Sequence, residues 1–186
     1  MKRCIGNPNV LNDGDTTIKI KYGEKEFLEA VDLIVKDITE KYGEKFDKIG
    51  LIGLARGGLP LLVTVSHKTG IRKINVVQIQ MTNTDNKWDY GQETWVWDHI
   101  DEDIDEFILF EDMVSHGRSI NLVINELLKR NKKVLAVYTL FLNSDMKNIT
   151  LENEYMDIVY TNIINGNQWV HFFWENGYNE KWKREN

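Results

Sequence analysis

The chain has 186 residues, of which 42% are hydrophobic and 28% are charged, and its formal net charge is −6. These proportions are ordinary for a globular domain, the length is too short for two typical domains, and the negative charge argues against a nucleic-acid partner. A single cysteine, Cys4, excludes an intramolecular disulfide, and no apolar run in the sequence reaches membrane-spanning length, so we expect a cytoplasmic protein without a membrane partner.

The N-terminal part of the chain predicts an arm, a strand and a helix, in that order. Residues 1–15 are rich in Asn, Gly and Asp and indicate a loose arm. Residues 16–22 alternate apolar and polar side chains, which favours a short strand. Apolar side chains recur at helical spacing over 24–42 and predict an amphipathic helix. No linker follows, so residues 16–186 are predicted to form a single domain.

A second apolar run, at 48–54, predicts a buried strand. It is followed by Ala55, Arg56, Gly57 and Gly58. A helix is then predicted over 60–69, so the polar turn would lie between a strand and a helix N-terminus, where anions bind. A plain glycine turn with a solvated arginine is the alternative.

A third strand is predicted at 74–81, and a long polar, aromatic and acidic stretch follows at 82–105. Long loops without secondary structure are uncommon and often act as lids over an active site. Trp88, Tyr90, Trp95 and Trp97 could pack such a lid, or they could belong to a surface hairpin without a chemical role.

The segment 106–121 carries the clearest functional signal. Its apolar run, Phe107 to Phe110, predicts a strand buried on both faces, and Glu111 and Asp112 follow it directly. A polar turn at 115–119 then leads into a predicted helix over 119–131. The carboxylates suit a divalent cation or ribose hydroxyls, and the turn N–H groups suit a phosphate. Together they predict a site for a phosphorylated sugar.

The rest of the chain predicts further strands at 133–141 and 155–162, and the alternation of strands and helices predicts an α/β fold with a mainly parallel, doubly wound sheet. The segment 167–175 is unusually aromatic. Core packing is one explanation, and stacking of a ring on a planar base is the other.

The segment 106–121 resembles the phosphoribosyl-diphosphate (PRPP) binding motif of type I phosphoribosyltransferases. The turn at 55–58 is similar to the diphosphate-binding loop of that family. The tail and the Gly-Ile-Arg sequence at 70–72 resemble the bacterial xanthine-guanine (hypoxanthine) phosphoribosyltransferases. The resemblance implies the type I fold, with a small C-terminal hood at 163–178 and an active-site lid at 82–105.

The resemblance also implies a function: transfer of the 5-phosphoribosyl group from PRPP to a purine-like base (xanthine, guanine or hypoxanthine), with release of diphosphate. Glu111 and Asp112 would hold Mg²⁺ and act in catalysis together with Arg56. The diphosphate would bind at Ala55, Arg56, Gly57 and Gly58. The 5′-phosphate would bind at Ser115, His116, Gly117, Arg118 and Ser119. The base would bind at Trp169, Val170 and Asn143. A homodimer or homotetramer is expected.

Three positions depart from the family pattern. Purine-using members normally carry Asp at the position of Ser115, a lysine that contacts the base at the position of Asn143, and a Ser-Tyr pair in the lid where Met81 and Thr82 stand here. A hydroxyl is a poor proton acceptor at neutral pH. An enzyme that uses a non-standard base, or a non-catalytic sensor of PRPP or a nucleotide, is therefore the alternative. His116 could add positive charge to the turn or point into solvent.

Overall fold

The structure, a computed structural model, describes residues 1–6, 19–81, 93–143, 156–165 and 168–175. Within these ranges the helices are α1 (Glu24–Tyr42), α2 (Gly58–Thr69) and α3 (Arg118–Lys129). The strands are β1 (Lys2–Cys4), β2 (Lys19–Tyr22), β3 (Ile49–Ala55), β4 (Ile74–Met81), β5 (Glu93–His99), β6 (Glu106–Val114), β7 (Lys133–Asn143), β8 (Asp157–Ile164) and β9 (Trp169–Phe172). Short 3₁₀ turns lie at Gly43–Lys45 and Phe173–Glu175.

The main sheet has the strand order β1-β8-β7-β6-β3-β4-β5. Its neighbouring strands are parallel except β4 and β5, which are antiparallel. The long apolar runs form its central strands, because only a sheet covered on both faces can bury every side chain of such a run. This confirms the predicted α/β fold with a mainly parallel sheet. A separate two-stranded parallel sheet is formed by β2 and β9.

The helices cover both faces of the sheet. Apolar side chains of α1 and α2, such as Ile34 and Leu62, join one core cluster. Those of α3, such as Val123 and Leu127, join the cluster on the other face. The helical spacing seen in the sequence therefore corresponds to the buried faces. In the part of the chain that the structure describes, no helix is both long and apolar enough to cross a membrane.

The prediction of a loose arm at 1–15 is wrong for its first residues. Strand β1 pairs in parallel with β8 at the edge of the main sheet, with Lys2 opposite Ile158. The Arg3 guanidinium also bonds to the Asp37 carboxylate on α1, which accepts a second hydrogen bond of 2.6 Å from the Tyr138 hydroxyl on β7. These long-range contacts order the segment. Residues 7–15 lie outside the described ranges.

The Asp37 carboxylate is 9% exposed and therefore depends on its two partners. Burial alone would raise its pKa, but the hydrogen bonds from Arg3 and Tyr138 outweigh burial and lower the pKa below the ordinary value. Since a lowered pKa means that the ionised form is favoured by folding, this three-residue contact stabilises the native state at neutral pH.

The segment 82–105 contains a strand where the sequence suggested a long loop. Strand β5 pairs with β4 in antiparallel fashion, which fits the surface-hairpin alternative for 93–99. The Trp95 indole donates a 2.9 Å hydrogen bond to Asp98, and Arg130, the residue after α3, donates to the same carboxylate. Residues 82–92, where Trp88 and Tyr90 lie, fall outside the described ranges, and a lid there stays a prediction.

Candidate active site

The carboxyl ends of β3 and β6 lie side by side. These strands are parallel neighbours, with Gly53 opposite Phe110, so the turn after β3 and the acidic pair near the end of β6 meet at one edge of the sheet. In open α/β sheets this edge is where ligands bind. The two motifs, more than fifty residues apart in the sequence, therefore form one site.

The contact between the two motifs depends on two glycines. Gly57 has φ −61° and ψ −41°, a conformation open to any residue, so its backbone does not require glycine. Glycine is required here because there is no room for a side chain. A Cβ at Gly57 would overlap the Asp112 carboxylate, and a Cβ at Gly58 would overlap the Phe110 carbonyl oxygen. Bare backbone at 57–58 thus lets the turn lie directly against the end of β6.

Arg56 precedes these glycines, and its side chain is exposed. The Ala55–Arg56 peptide bond is cis. The Leu59 N–H donates to the Arg56 carbonyl at 3.2 Å, which closes the turn at the start of α2. Ala55, Arg56, Gly57 and Gly58 are accordingly brought together at the strand end, as the sequence predicted for an anion-binding loop.

The two carboxylates belong to β6 itself rather than to the loop after it. The Asp112 N–H donates a 3.2 Å hydrogen bond to Oε1 of Glu111. Burial and the charge of Asp112 raise the pKa of Glu111 well above its ordinary value. Burial also raises the pKa of Asp112. Hydrogen bonds with Glu111 and with the backbone lower this pKa, but they do not outweigh burial. The charge of Glu175 raises the pKa further.

This pair fits Mg²⁺ by its chemistry. Magnesium prefers oxygen ligands and is usually held by one or two carboxylates together with substrate oxygens. In the described ranges no three His, Cys, Asp or Glu side chains come together as a metal-binding group. Glu111 and Asp112 could hold such an ion together with substrate oxygens, and a cation beside them would offset the repulsion between their two like charges.

The turn after β6 leads into α3 in the geometry that suits an anion. Gly117 adopts a left-handed conformation with φ 67° and is the N-cap of the helix. The first helical hydrogen bond runs from the Asn121 N–H to the Gly117 carbonyl at 2.9 Å. The N–H groups of Ser119 and Ile120 therefore have no acceptor within the helix, and with the helix dipole they suit a phosphate.

The turn also contains the other three residues that the sequence predicts as 5′-phosphate ligands, Ser115, His116 and Arg118. Ser115 Oγ lies 3.3 Å from Nδ1 of His116. Burial lowers the pKa of His116, and the charge of Arg118 lowers it further. Because the ordinary value lies just below neutrality, the imidazole is mainly uncharged at neutral pH in the absence of a ligand.

The three predicted base-binding residues, Asn143, Trp169 and Val170, do not share one environment in the structure. Asn143 ends β7 at the same edge of the sheet as the acidic pair and is 8% exposed. Val170 is 2% exposed and packs in the hydrophobic core, which supports the core-packing explanation for its side chain, and its role as a base contact stays a prediction. Trp169 pairs with Lys19 through the backbone of β9, and its side chain lies outside the described part of the structure.

Sequence reasoning missed Glu175. Phe172 and Trp174 stack at a centroid distance of 4.5 Å and 9° between planes, which anchors the 3₁₀ turn after β9. In that turn, Oε2 of Glu175 accepts a 3.1 Å hydrogen bond from the Phe172 N–H. Its charge reaches Asp112 and raises the pKa there. The aromatic run was the only local signal, and it does not reveal which strand the carboxylate approaches.

Comparison with known proteins gives consistent results. A family model described as a phosphoribosyl transferase domain matches residues 22–181. The hypoxanthine phosphoribosyltransferase of Buchnera aphidicola subsp. Schizaphis graminum (strain Sg) is 26% identical over 148 residues, which cover 75% of this chain and 80% of that protein.

Solved structures share the fold. The xanthine-guanine-hypoxanthine phosphoribosyltransferase of Helicobacter pylori is 18% identical, with a TM-score of 0.65 over 87% of this chain and 96% of that one. A hypothetical protein from Neisseria gonorrhoeae with bound ppGpp is 17% identical, with a TM-score of 0.62 over 85% of this chain and 90% of that one.

Proposed function

The chain belongs to the phosphoribosyl transferase domain family, and we propose that it transfers the 5-phosphoribosyl group of PRPP to a purine-like base. Xanthine, guanine and hypoxanthine are the proposed acceptors, and diphosphate is the leaving group. The relative from Buchnera, a hypoxanthine phosphoribosyltransferase, supports a purine. We also propose a cytoplasmic location, from the single cysteine, and a homodimer or homotetramer, from the family resemblance.

One observation carries this proposal: the turn at 55–58 lies against the acidic pair of β6, with Gly57 touching the Asp112 carboxylate. The turn suits a diphosphate, the acidic pair suits ribose hydroxyls, and the 115–119 turn suits a 5′-phosphate. PRPP carries these three groups on one sugar. A ligand with only one phosphate would leave one of the two anion-binding turns unused.

The chain would work by positioning and by charge. Backbone N–H groups after Arg56, with the Arg56 guanidinium, would hold the diphosphate and stabilise the charge that develops on it as it leaves. Glu111 and Asp112 would accept hydrogen bonds from the ribose hydroxyls beside the anomeric carbon, which becomes cation-like in the transition state. Mg²⁺, held by these two carboxylates and PRPP, would add positive charge to the leaving diphosphate.

The base would approach from the side of β9 and the end of β7. We assign Trp169 to stacking on the base, on the family resemblance. We assign Asn143 to the polar edge of the base, because it lies at the ligand-binding edge of the sheet.

The test is whether PRPP binds in the presence of Mg²⁺, and the readout is the rise in the melting temperature of the protein. A ligand at a hundred times its Kd stabilises the folded state by about 2.7 kcal/mol. Asp112→Asn should reduce this gain, because it removes a carboxylate from the sugar site. Asp103→Asn is the matched control, since Asp103 is exposed in the turn before β6. Wild-type protein that is folded but gains no stability at millimolar PRPP would refute the proposal.

A second candidate function is nucleotide sensing without transfer. Ser115 stands where purine-using members normally carry Asp, and its hydroxyl contacts the imidazole of His116. The structural neighbour from Neisseria gonorrhoeae contains ppGpp, which supports nucleotide binding on this fold. A sensor would bind PRPP or a nucleotide but release no diphosphate with any base.

A further inference from the structure

His116 lies in the turn between β6 and α3, one residue before the glycine that caps the helix. Its side chain is half-buried, and its Nδ1 lies 3.3 Å from the hydroxyl of Ser115. The proposed function places a phosphate on this turn. His116 is thus a titratable group within the part of the site that would receive a dianion.

Without a ligand, the surroundings of His116 disfavour its charged form. Burial and the positive charge of Arg118, on the first turn of α3, both lower its pKa. A neutral imidazole can accept a hydrogen bond from the Ser115 hydroxyl at Nδ1, in which case Nε2 carries the ring proton and can donate. The side chain is then a neutral hydrogen-bond donor.

Charged groups also lie on the elements that meet at this edge of the sheet. Arg118 lies on α3, Arg56 lies on the turn after β3, and Glu111 and Asp112 lie on β6. The charge of Arg118 acts directly on His116. A phosphate dianion bound at the start of α3 would offset that charge and place negative charge beside the imidazole, so both changes would favour the protonated form.

We propose that His116 is a ligand of the 5′-phosphate and takes up a proton when the phosphate binds. This inference rests on the function proposed above. Proton uptake by His116 would make the 115–119 turn a pH-dependent phosphate site. In the free protein, the neutral imidazole limits repulsion with Arg118. In the complex, the imidazolium adds a second cation beside the phosphate. The proton comes from solvent and returns there when the phosphate leaves.

The consequence is a pH-dependent affinity. Uptake of about one proton strengthens binding by at most about tenfold for each pH unit of acidification. The gain should appear on acidification from alkaline pH and should end near pH 6, because a phosphate monoester itself takes up a proton there and loses charge. Affinity should therefore rise on mild acidification and then level off.

The experiment uses ribose 5-phosphate, which has the 5′-phosphate but no diphosphate. Calorimetric titrations at neutral pH in two buffers of different ionisation enthalpy give the number of protons taken up. Nuclear magnetic resonance of the histidine ring protons, with ligand and without, identifies the residue that binds them. We expect uptake of roughly half a proton to one proton and a ligand-induced rise in the pKa of His116.

Three variants separate charge from structure. His116→Asn should bind ribose 5-phosphate without proton uptake and with an affinity that follows only the ionisation of the phosphate. His116→Lys should restore tight binding at the alkaline end, also without uptake, because its charge is permanent there. His67→Asn, at an exposed position on α2, should behave like the wild type.

The outcomes distinguish this inference from the function on which it rests. If ribose 5-phosphate binds while His116 does not titrate differently and no proton is taken up, the inference is wrong and the phosphate site stands. If neither ribose 5-phosphate nor PRPP binds to folded wild-type protein, the phosphate site is wrong and the inference fails with it. The resonance measurement on wild type decides the matter even if a variant does not fold.

Discussion

Gly57→Ala tests the contact that joins the two halves of the site. The backbone at this position, with φ −61° and ψ −41°, accepts alanine without strain. The added methyl group would overlap Cγ and both oxygens of the Asp112 carboxylate. Because the carboxylate is held on a short side chain at the end of a central strand, it cannot move away without a cost.

The size of the effect follows from two opposing terms. Overpacking at a close contact costs about 1–3 kcal/mol, and replacing glycine restricts the unfolded chain and returns about 0.4–1 kcal/mol. We expect the free energy of unfolding to fall by up to about 2.6 kcal/mol, as measured by urea denaturation. Affinity for PRPP with Mg²⁺, measured by calorimetry, should fall as well, because the displaced carboxylate is the proposed sugar ligand.

Two further variants isolate the cause. At Gly43, with φ −52° and ψ −36°, a Cβ would meet Thr39 Cγ2 at an ordinary 3.9 Å, so Gly43→Ala should be neutral or slightly stabilising. In an Asp112→Ala background the overlap is absent, and Gly57→Ala should lose its cost. An unchanged cost in that background would refute the reasoning, because the methyl group would then collide with something other than Asp112.

Further predictions concern the core and the base. Asp37→Asn should lower the free energy of unfolding by about 1–3 kcal/mol at neutral pH, because Arg3 and Tyr138 lose a charged acceptor. The lowered pKa of Asp37 means that this difference shrinks as the pH falls below about 4, which urea denaturation at several pH values would reveal. Trp169→Ala should weaken base binding by about 1–3 kcal/mol and leave PRPP binding unchanged in calorimetry; joint loss of both ligands with unfolding would contradict stacking. Ser115→Asp should raise the rate of transfer to guanine, xanthine or hypoxanthine, since general acid–base help is worth about a hundred- to ten-thousand-fold; an unchanged rate would mean that another group handles the proton.

The central architecture could be predicted from the sequence because its signals are local. The apolar runs at 49–55 and 107–110 have no polar face, and that pattern leads to strands covered on both sides. The polar turns that follow them are adjacent in the sequence to the strands that place them. Parallel pairing then brings both turns to the same edge.

The remaining features depend on contacts between distant parts of the chain. Strand β1 has only three residues and is held by β8 and by the bond from Arg3 to Asp37, so nothing in its own sequence distinguishes it from a loose arm. Strand β5 is polar and aromatic because it lies at the sheet edge, where Arg130 covers Trp95 at 5.8 Å. The position of Glu175 likewise follows from the packing of its turn.

The burial of Val170 follows from strand geometry. The resemblance places this residue against the base, and residues of a strand alternate between two faces. Val170 and Phe172 are both buried, at 2% and 3% exposed, and they form the core-facing side of β9. The alternation can be read only once the segment is known to be a strand, which its aromatic run does not reveal.

The most direct test of the proposed transfer is release of diphosphate from PRPP and Mg²⁺ across a panel of purines and pyrimidines. We predict release that requires a purine, with weak activity because Ser115 is a poor proton acceptor, and a kcat/KM below roughly 10⁴ M⁻¹s⁻¹. A value above this for guanine, xanthine or hypoxanthine would contradict the role given to Ser115. No release with any base, from folded protein that binds PRPP, would contradict the enzyme and favour the sensor.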